Sequence, residues 1–97
     1  MSTLVTERDV FAESVQFSQD SMTVHLDDGR ALSVPLAWYP RLLHGTQKER
    51  EHFELIGDGE GIHWPSLDED ISVEGLLAGK RSAEIDASLS RWLEKRR

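Results

Sequence analysis

Apolar and polar residues alternate along the first third of the chain with the two-residue period of a half-buried β-strand. Between residues 10 and 17 the side chains of residues 11, 13, 15 and 17 fall on one side of the predicted strand, where Glu13 is the polar exception in an otherwise apolar set. The alternation recurs twice before Pro35, and a turn-forming Asp-Asp-Gly run lies between the two repeats. The sequence therefore predicts a three-stranded antiparallel meander over residues 10–35, which Pro35 ends.

The central part of the chain predicts several short elements. Pro40 opens a helical turn at a position where its missing N–H costs nothing. The run Thr46-Gln47-Lys48-Glu49 fits the capping box of a second short helix. Residues 53–56 and 62–64 predict further strands separated by a glycine-rich turn, and residues 70–79 predict a brief helix whose end a glycine marks.

Residues 83–97 have helical periodicity, with acidic residues at the start and basic residues at the end, as the helix dipole favours. This helix can fold back on the sheet, pair with a second copy, or bind a different protein. The preceding Lys-Arg-Ser run is a plausible hinge, so we expect one domain over residues 1–80 and a helical extension over residues 81–97. The apolar stripe of the helix consists of Ile85, Leu89, Trp92 and Leu93.

Together these elements predict an α+β fold. Its small antiparallel sheet contains the N-terminal three-stranded meander plus one or two further short strands, with short helices and a C-terminal amphipathic helix.

The 97 residues correspond to one domain with a modest core. There are no cysteines, which excludes disulfides, thiol nucleophiles and thiolate metal sites. No signal-like or membrane-spanning run is present, so we expect a cytoplasmic protein with no membrane contact.

The net charge of −7 is unevenly distributed. Residues 49–79 carry nine acidic residues against Arg50 alone, whereas residues 80–97 carry six basic and three acidic residues. Phosphate binding needs concentrated lysine and arginine, so the body is not expected to bind nucleic acid. The tail alone offers a weak phosphate contact, through Arg91, Lys95, Arg96 and Arg97.

Four stretches of the chain form an ordered set of motifs, namely Leu26-Asp27-Asp28-Gly29-Arg30, Val34-Pro35-Leu36-Ala37-Trp38-Tyr39-Pro40-Arg41-Leu42, Thr46-Gln47-Lys48-Glu49-Arg50 and the stretch from Gly61 to Leu77. Together they resemble the bacterial proteins collected as Domain of Unknown Function 2442, over about residues 8–80. The resemblance implies a small α+β fold with an antiparallel sheet and no established activity, hence no catalytic residues to carry over. It also implies that some relatives continue into a helix-turn-helix DNA-binding domain, for which residues 81–97 are too few, and that some accompany a second small protein in apparent toxin–antitoxin pairs.

Two polar constellations suggest chemistry, and each has a simpler explanation. The acidic residues at positions 58, 60 and 68–70 do not have EF-hand spacing, so a solvated acidic face is favoured over a metal site. His63 with Asp68 or Asp70 could form an acid–base pair, with His44 or His52 joining it. However, the only nearby hydroxyl, on Ser66, lacks a strained elbow or an oxyanion loop.

The aromatic residues Trp38, Tyr39 and Trp64, with Arg41 nearby, have the composition of a binding hot spot and equally of a small core. Core packing is favoured, because small domains need large side chains to supply burial. A ligand-binding alternative predicts a concave pocket lined by Trp38, Trp64 and His63.

These observations favour a non-enzymatic protein-interaction or accessory module, antitoxin-like if the resemblance extends to partner pairing. We expect a protein partner or a homodimer, contacted through the acidic face or the C-terminal helix, and no cofactor or metal. The alternatives are a small-ligand-binding protein or enzyme using His63, and weak nucleic-acid association through the basic helix. The predicted partner-binding residues are Trp38, Tyr39, Arg41, His63, Trp64, Asp68, Asp70, Leu89 and Trp92.

Overall fold

The computed structural model describes residues 10–96. Two 3₁₀ turns, Leu36–Trp38 and Gly57–Gly59, connect elements within this range. The described strands are β1 Ala12–Phe17, β2 Ser21–Leu26, β3 Ala31–Pro35, β4 Glu54–Ile56, β5 Gly61–Trp64 and β6 Glu69–Ser72. The described helices are α1 Pro40–His44, α2 Gln47–Glu51, α3 Val73–Leu77 and α4 Asp86–Glu94.

The N-terminal meander has the predicted order β1-β2-β3, with both pairs antiparallel. Met22 and Val24 of the central strand point into the core and are fully buried. The β2–β3 turn uses Gly29 at a φ of 94°, which a residue with a Cβ rarely adopts. The predicted three-stranded meander is therefore confirmed.

A β-bulge changes the phase of the alternation at the start of β1. Ala12 pairs with Leu26 and Ser14 with His25, which leaves Glu13 as the extra residue. Ala12 is consequently buried and Glu13 exposed. The prediction that residues 11, 13, 15 and 17 share one buried side is wrong at this end, because a two-residue period cannot reveal an inserted residue.

The other strands form a second three-stranded antiparallel sheet in the order β4-β5-β6. Its third strand, Glu69–Ser72, occupies the start of the predicted 70–79 helix. That helix prediction is wrong over residues 70–72, because Ile71 pairs with the buried Ile62 and cross-strand packing overrides local helical preference. The helix begins at Val73, where Ser72 Oγ caps it by accepting a hydrogen bond from the Gly75 N–H at 2.9 Å.

The main hydrophobic core includes residues from both sheets and the short helices, which confirms the α+β fold. At its centre, the indole of Trp64 packs edge-on against Phe17 with ring centroids 6.4 Å apart. The indole N–H donates to the Arg50 carbonyl at 2.9 Å, so this buried polar atom is satisfied. The largest fully buried side chains are Trp64, Met22, Leu36, Leu42, Ile62, Leu67, Val24 and Val73.

The C-terminal helix α4 is shorter than the predicted 83–97 helix and spans Asp86–Glu94. Ile85 is its N-cap and is 66% exposed, so it lies outside the packed part of the apolar stripe. Arg97, predicted to belong to the basic end, lies outside the described residues. None of the described helices has the length and apolar content needed to cross a membrane.

Candidate functional site

Arg41 of α1 is the centre of the largest polar cluster in the described part of the chain. Its guanidinium donates from Nε and Nη2 to the Glu84 carboxylate, with the shortest contact at 2.6 Å. Its Nη1 donates to the carbonyls of Leu67 and Asp68 at 3.4 and 3.3 Å. The hydrogen bond from Arg41 is the main cause of a lowered pKa of Glu84. Arg41 thereby joins three separate segments of the chain.

The ring of Trp92 lies between two guanidinium groups. Arg41 is 5.2 Å and Arg96 is 4.5 Å from the ring centroid, within the range of cation–π attraction. Arg96 also forms a bidentate ion pair with Glu49 of α2, at 2.7 and 3.0 Å. The hydrogen bond from Arg96, with one from the Thr46 N–H, lowers the pKa of Glu49 to about 2. In this structure α4 therefore folds back on its own domain.

Residues 80–82, which precede α4, pack against the aromatic corner, defined here as Trp38 and Tyr39. The Tyr39 hydroxyl donates to the Lys80 carbonyl at 2.8 Å, and the Ser82 N–H donates to the Trp38 carbonyl at 3.0 Å. The Arg81 guanidinium lies 4.5 Å from the Trp38 ring centroid. Tyr39 is only 5% exposed, so its ring contributes to the core, whereas Trp38 is half-buried.

Of the two carboxylates that the sequence offered as partners for His63, Asp70 lies within hydrogen-bond distance of it. His63 and Asp70 are opposite each other on β5 and β6, with His63 Nδ1 2.6 Å from Asp70 Oδ1. Asp68 instead pairs with Arg41, with its Oδ2 atom 3.5 Å from Arg41 Nη1. Within residues 10–96, Ser66 makes no hydrogen bond to His63, and no group of three or more histidine and acidic residues is arranged to hold a metal ion.

The predicted pocket between Trp38, Trp64 and His63 conflicts with the position of Trp64. This ring is 0% exposed, so it cannot line an open pocket. A cavity of about 200 Å³ lies instead between β6 and residues 80–83, with Glu69 in its wall. Burial raises the pKa of the Glu69 carboxyl. No local sequence pattern predicts this cavity, because its walls are distant along the chain.

Arg50, the only basic residue between positions 49 and 79, is committed to internal contacts. Its Nε donates to the Leu42 carbonyl at 2.7 Å and its Nη2 to the Leu43 carbonyl at 2.9 Å. These carbonyls are at the C-terminal end of α1, where helical backbone acceptors lack intrahelical partners. The positive charge is thus held at the α1 terminus.

Sequence comparison identifies the family. The family described as protein of unknown function DUF2442 matches residues 12–82. The chain belongs to the DUF2442 family. This match confirms the resemblance inferred from the ordered motifs, and within this DUF2442 protein α4 lies beyond the matched region.

Two solved structures resemble this DUF2442 protein. A protein of unknown function from Rhodospirillum rubrum is 26% identical, with a TM-score of 0.66 over 82% of this chain and 96% of that chain. An uncharacterized protein from Chromobacterium violaceum is 23% identical, with a TM-score of 0.65 over 89% of this chain and 75% of that chain. The second likeness concerns the fold alone. No curated protein matches the chain.

Proposed function

We propose that this DUF2442 protein is a non-enzymatic interaction module that binds a basic protein surface through its acidic surface. The acidic surface is defined here as the exposed carboxylates of Glu51, Glu54, Asp58, Glu60 and Glu74. The observation that carries the proposal is the engagement of Arg50 by the α1 carbonyls, because it leaves no lysine or arginine of residues 49–79 to pair with these carboxylates.

Ion pairing elsewhere in the molecule supports this assignment. Arg41 forms an ion pair with Glu84, and Arg96 forms one with Glu49. Within residues 10–96, none of the five carboxylates of the acidic surface has a basic side chain within ion-pair distance. A surface whose charges all have one sign favours a partner surface of the opposite charge, because attraction increases the association rate and repulsion rejects like-charged surfaces.

The antitoxin-like form of the proposal rests on the toxin–antitoxin-like pairs that the family resemblance implies for some relatives. In that form the partner is the product of the neighbouring gene, and the acidic surface covers a basic site on it. The lack of cysteines fits a cytoplasmic location for such a pair. The alternatives are less well supported, since no described hydroxyl side chain is hydrogen-bonded to the His63–Asp70 pair and Arg96 is engaged by Glu49.

The test is co-expression of the full chain with the neighbouring gene product, followed by gel filtration. We expect co-elution that weakens as salt increases, because surface charge attraction is screened. Reversing two charges of the acidic surface, with Glu54→Lys and Glu60→Lys together, should weaken the complex about tenfold or more.

The matched control reverses two exposed charges on the other sheet region, with Glu13→Lys and Asp20→Lys together. This variant has the same net charge, so it should retain binding if the location of the acids matters. Separate elution of the two proteins, or equal losses in both variants, would contradict the proposal.

A further inference from the structure

Each three-stranded sheet has two outer strands, and in the described part of the chain three of the four outer edges carry some hindrance to pairing with another chain. Beside β1 the backbone of Gly59 approaches Ala12 so closely that a side chain at Gly59 would collide with the Ala12 backbone. The edge strand β3 ends in Pro35, which cannot donate a ladder hydrogen bond. Residues 80–83 lie along β6 across the 200 Å³ cavity.

The outer edge of β4 is the open edge of its sheet in the described part of the chain. All three residues of this strand are exposed, and among the described residues it pairs only with β5. It contains no proline, lysine or bulge, so the features that limit its pairing are its short length and Glu54, which discourages acidic partners only. Between described residues, β4 makes no backbone hydrogen bond other than those with its sheet neighbour. The strand therefore offers unpaired backbone donors and acceptors on its outer side.

The two apolar side chains of β4 are exposed for different reasons. Leu55 is opposite the fully buried Ile62, so it lies at the rim of the core and remains 40% exposed. Ile56 points to the other face and is opposite Gly61, which has no side chain to cover it, so it remains 47% exposed. An adjacent strand would cover both residues.

On the face of this sheet that carries Ile56, carboxylate and imidazole side chains alternate from strand to strand. Glu54 pairs with His63, and His63 pairs with Asp70. A basic residue opposite Glu54 on an added strand would extend this alternation, since opposite charges facing each other across strands are stabilising. Apolar residues at the alternate positions would contact Leu55 on the core face.

We propose that β4 receives an extended segment of a partner protein as a fourth strand, and that this segment alternates basic and apolar residues. This inference rests on the proposed function and specifies how the acidic surface binds. A second copy of the chain is disfavoured as the occupant, because two chains of charge −7 would bring Glu54 against another acidic edge.

The probe is a short peptide in which lysine and valine alternate, added to the full isotopically labelled chain. Its matched control alternates lysine and proline, so it has the same charge and lacks half of the backbone N–H donors of the probe. We expect chemical-shift changes and slowed amide exchange centred on residues 54–56. The proline peptide should bind about ten times more weakly, as expected for the loss of about two hydrogen bonds.

A gatekeeper variant tests the edge itself. Ile56→Lys places a charged side chain on β4 and should remove the preference for the lysine–valine peptide over the proline peptide. The matched control is Leu43→Lys on α1, a residue 41% exposed and thus comparable in exposure. This variant makes the same change away from the sheet and should keep the preference.

The outcomes separate this inference from the proposed function. Equal binding of the two peptides would overturn strand addition and leave a purely electrostatic acidic surface. Perturbations centred on β3, or no binding of either peptide, would also overturn it. So would a concentration-dependent dimer of the free chain with residues 54–56 already protected, because a second copy would then occupy the edge. If co-elution with the neighbouring protein persists in any of these cases, the proposed function survives.

Discussion

Arg41 shows how one side chain can hold distant parts of a small domain together. It contacts the carboxylate of Glu84, two carbonyls of the β5–β6 connection and the ring of Trp92. Its side chain is 16% exposed and that of Glu84 is 10% exposed, so the pair is largely removed from water. At the residue scale, Arg41 is the main polar link between the sheet domain and the C-terminal segment.

Replacing Arg41 with alanine should therefore destabilise the protein substantially. Glu84 would remain largely buried without its cation, and we expect a loss of about 2–3 kcal/mol in the free energy of unfolding. Arg41→Lys keeps the charge but not the bidentate geometry, so it should cost less. Urea denaturation monitored by circular dichroism measures both.

Arg91→Ala is the control for the Arg41 variants, because it removes an exposed arginine side chain from α4. It should change the urea midpoint little. If Arg41→Ala behaves like this control, the assigned role of Arg41 is wrong.

At the scale of elements, the sequence predicted best what is decided locally. The capping box of α2 needs only residues three apart, and both of its hydrogen bonds form, at 2.8 and 3.1 Å between Thr46 and Glu49. β6 forms because it pairs with β5, and a local pattern does not reveal this pairing, so the sequence predicts a helix over residues 70–72 where the structure has a strand. The bulge at Glu13 is not predictable from the sequence for a similar reason, since only the partner strand defines it.

The same distinction applies to the candidate site. Local composition identified the acidic region and the aromatic corner, and closeness in sequence left Asp68 and Asp70 as alternative partners for His63. The ion pairs Arg41–Glu84 and Arg96–Glu49 join residues 43 and 47 positions apart, and no local pattern connects them. The open edge of β4 could not be predicted either, because edge status depends on the order of strands in the sheet.

The helix α4 should be the element that detaches first. None of its residues is fully buried, and a helix this short is marginal in water by itself. Trp92→Ala removes the ring between two guanidinium groups, so we expect fast amide exchange in α4, including at the Leu89 N–H that donates to the Ile85 carbonyl. The free energy of unfolding should decrease by about 1–2 kcal/mol.

The control for Trp92→Ala is Ile85→Ala, which truncates a side chain that is 66% exposed. Exchange within β2 should stay slow in both variants, because its residues belong to the core. Unchanged protection of the Leu89 amide in Trp92→Ala would show that the indole does not hold the helix.

At the scale of the whole molecule, carboxyl groups with opposite pKa shifts determine how stability depends on pH. The folded state lowers the pKa of Glu49 from 4.5 to about 2 and also lowers that of Glu84. Their stabilising contribution is present above pH 4.5 and is lost as the pH falls from there towards 2. The raised pKa of Glu69 acts in the opposite sense, so its protonation stabilises the fold as the pH falls from neutral.

We therefore expect the urea midpoint to increase from neutral to mildly acidic pH and then to decrease below about pH 4.5. Glu69→Gln should raise the midpoint at neutral pH and flatten the first part of the curve, since it removes a carboxylate whose burial disfavours charge. Glu49→Gln should flatten the part of the curve below about pH 4.5, since it removes a carboxylate whose pKa the fold lowers. A curve that Glu69→Gln leaves unchanged would contradict this account.

The three indole rings of this chain occupy different surroundings, and this gives the protein an intrinsic optical reporter. Trp64 is enclosed in the core, whereas Trp38 and Trp92 lie half-buried beneath arginine side chains. A soluble anionic quencher of fluorescence can therefore reach only the last two rings while the fold is intact. Release of the tail would increase quenching before the emission spectrum shifts to the red, and unfolding of the sheets would produce that shift.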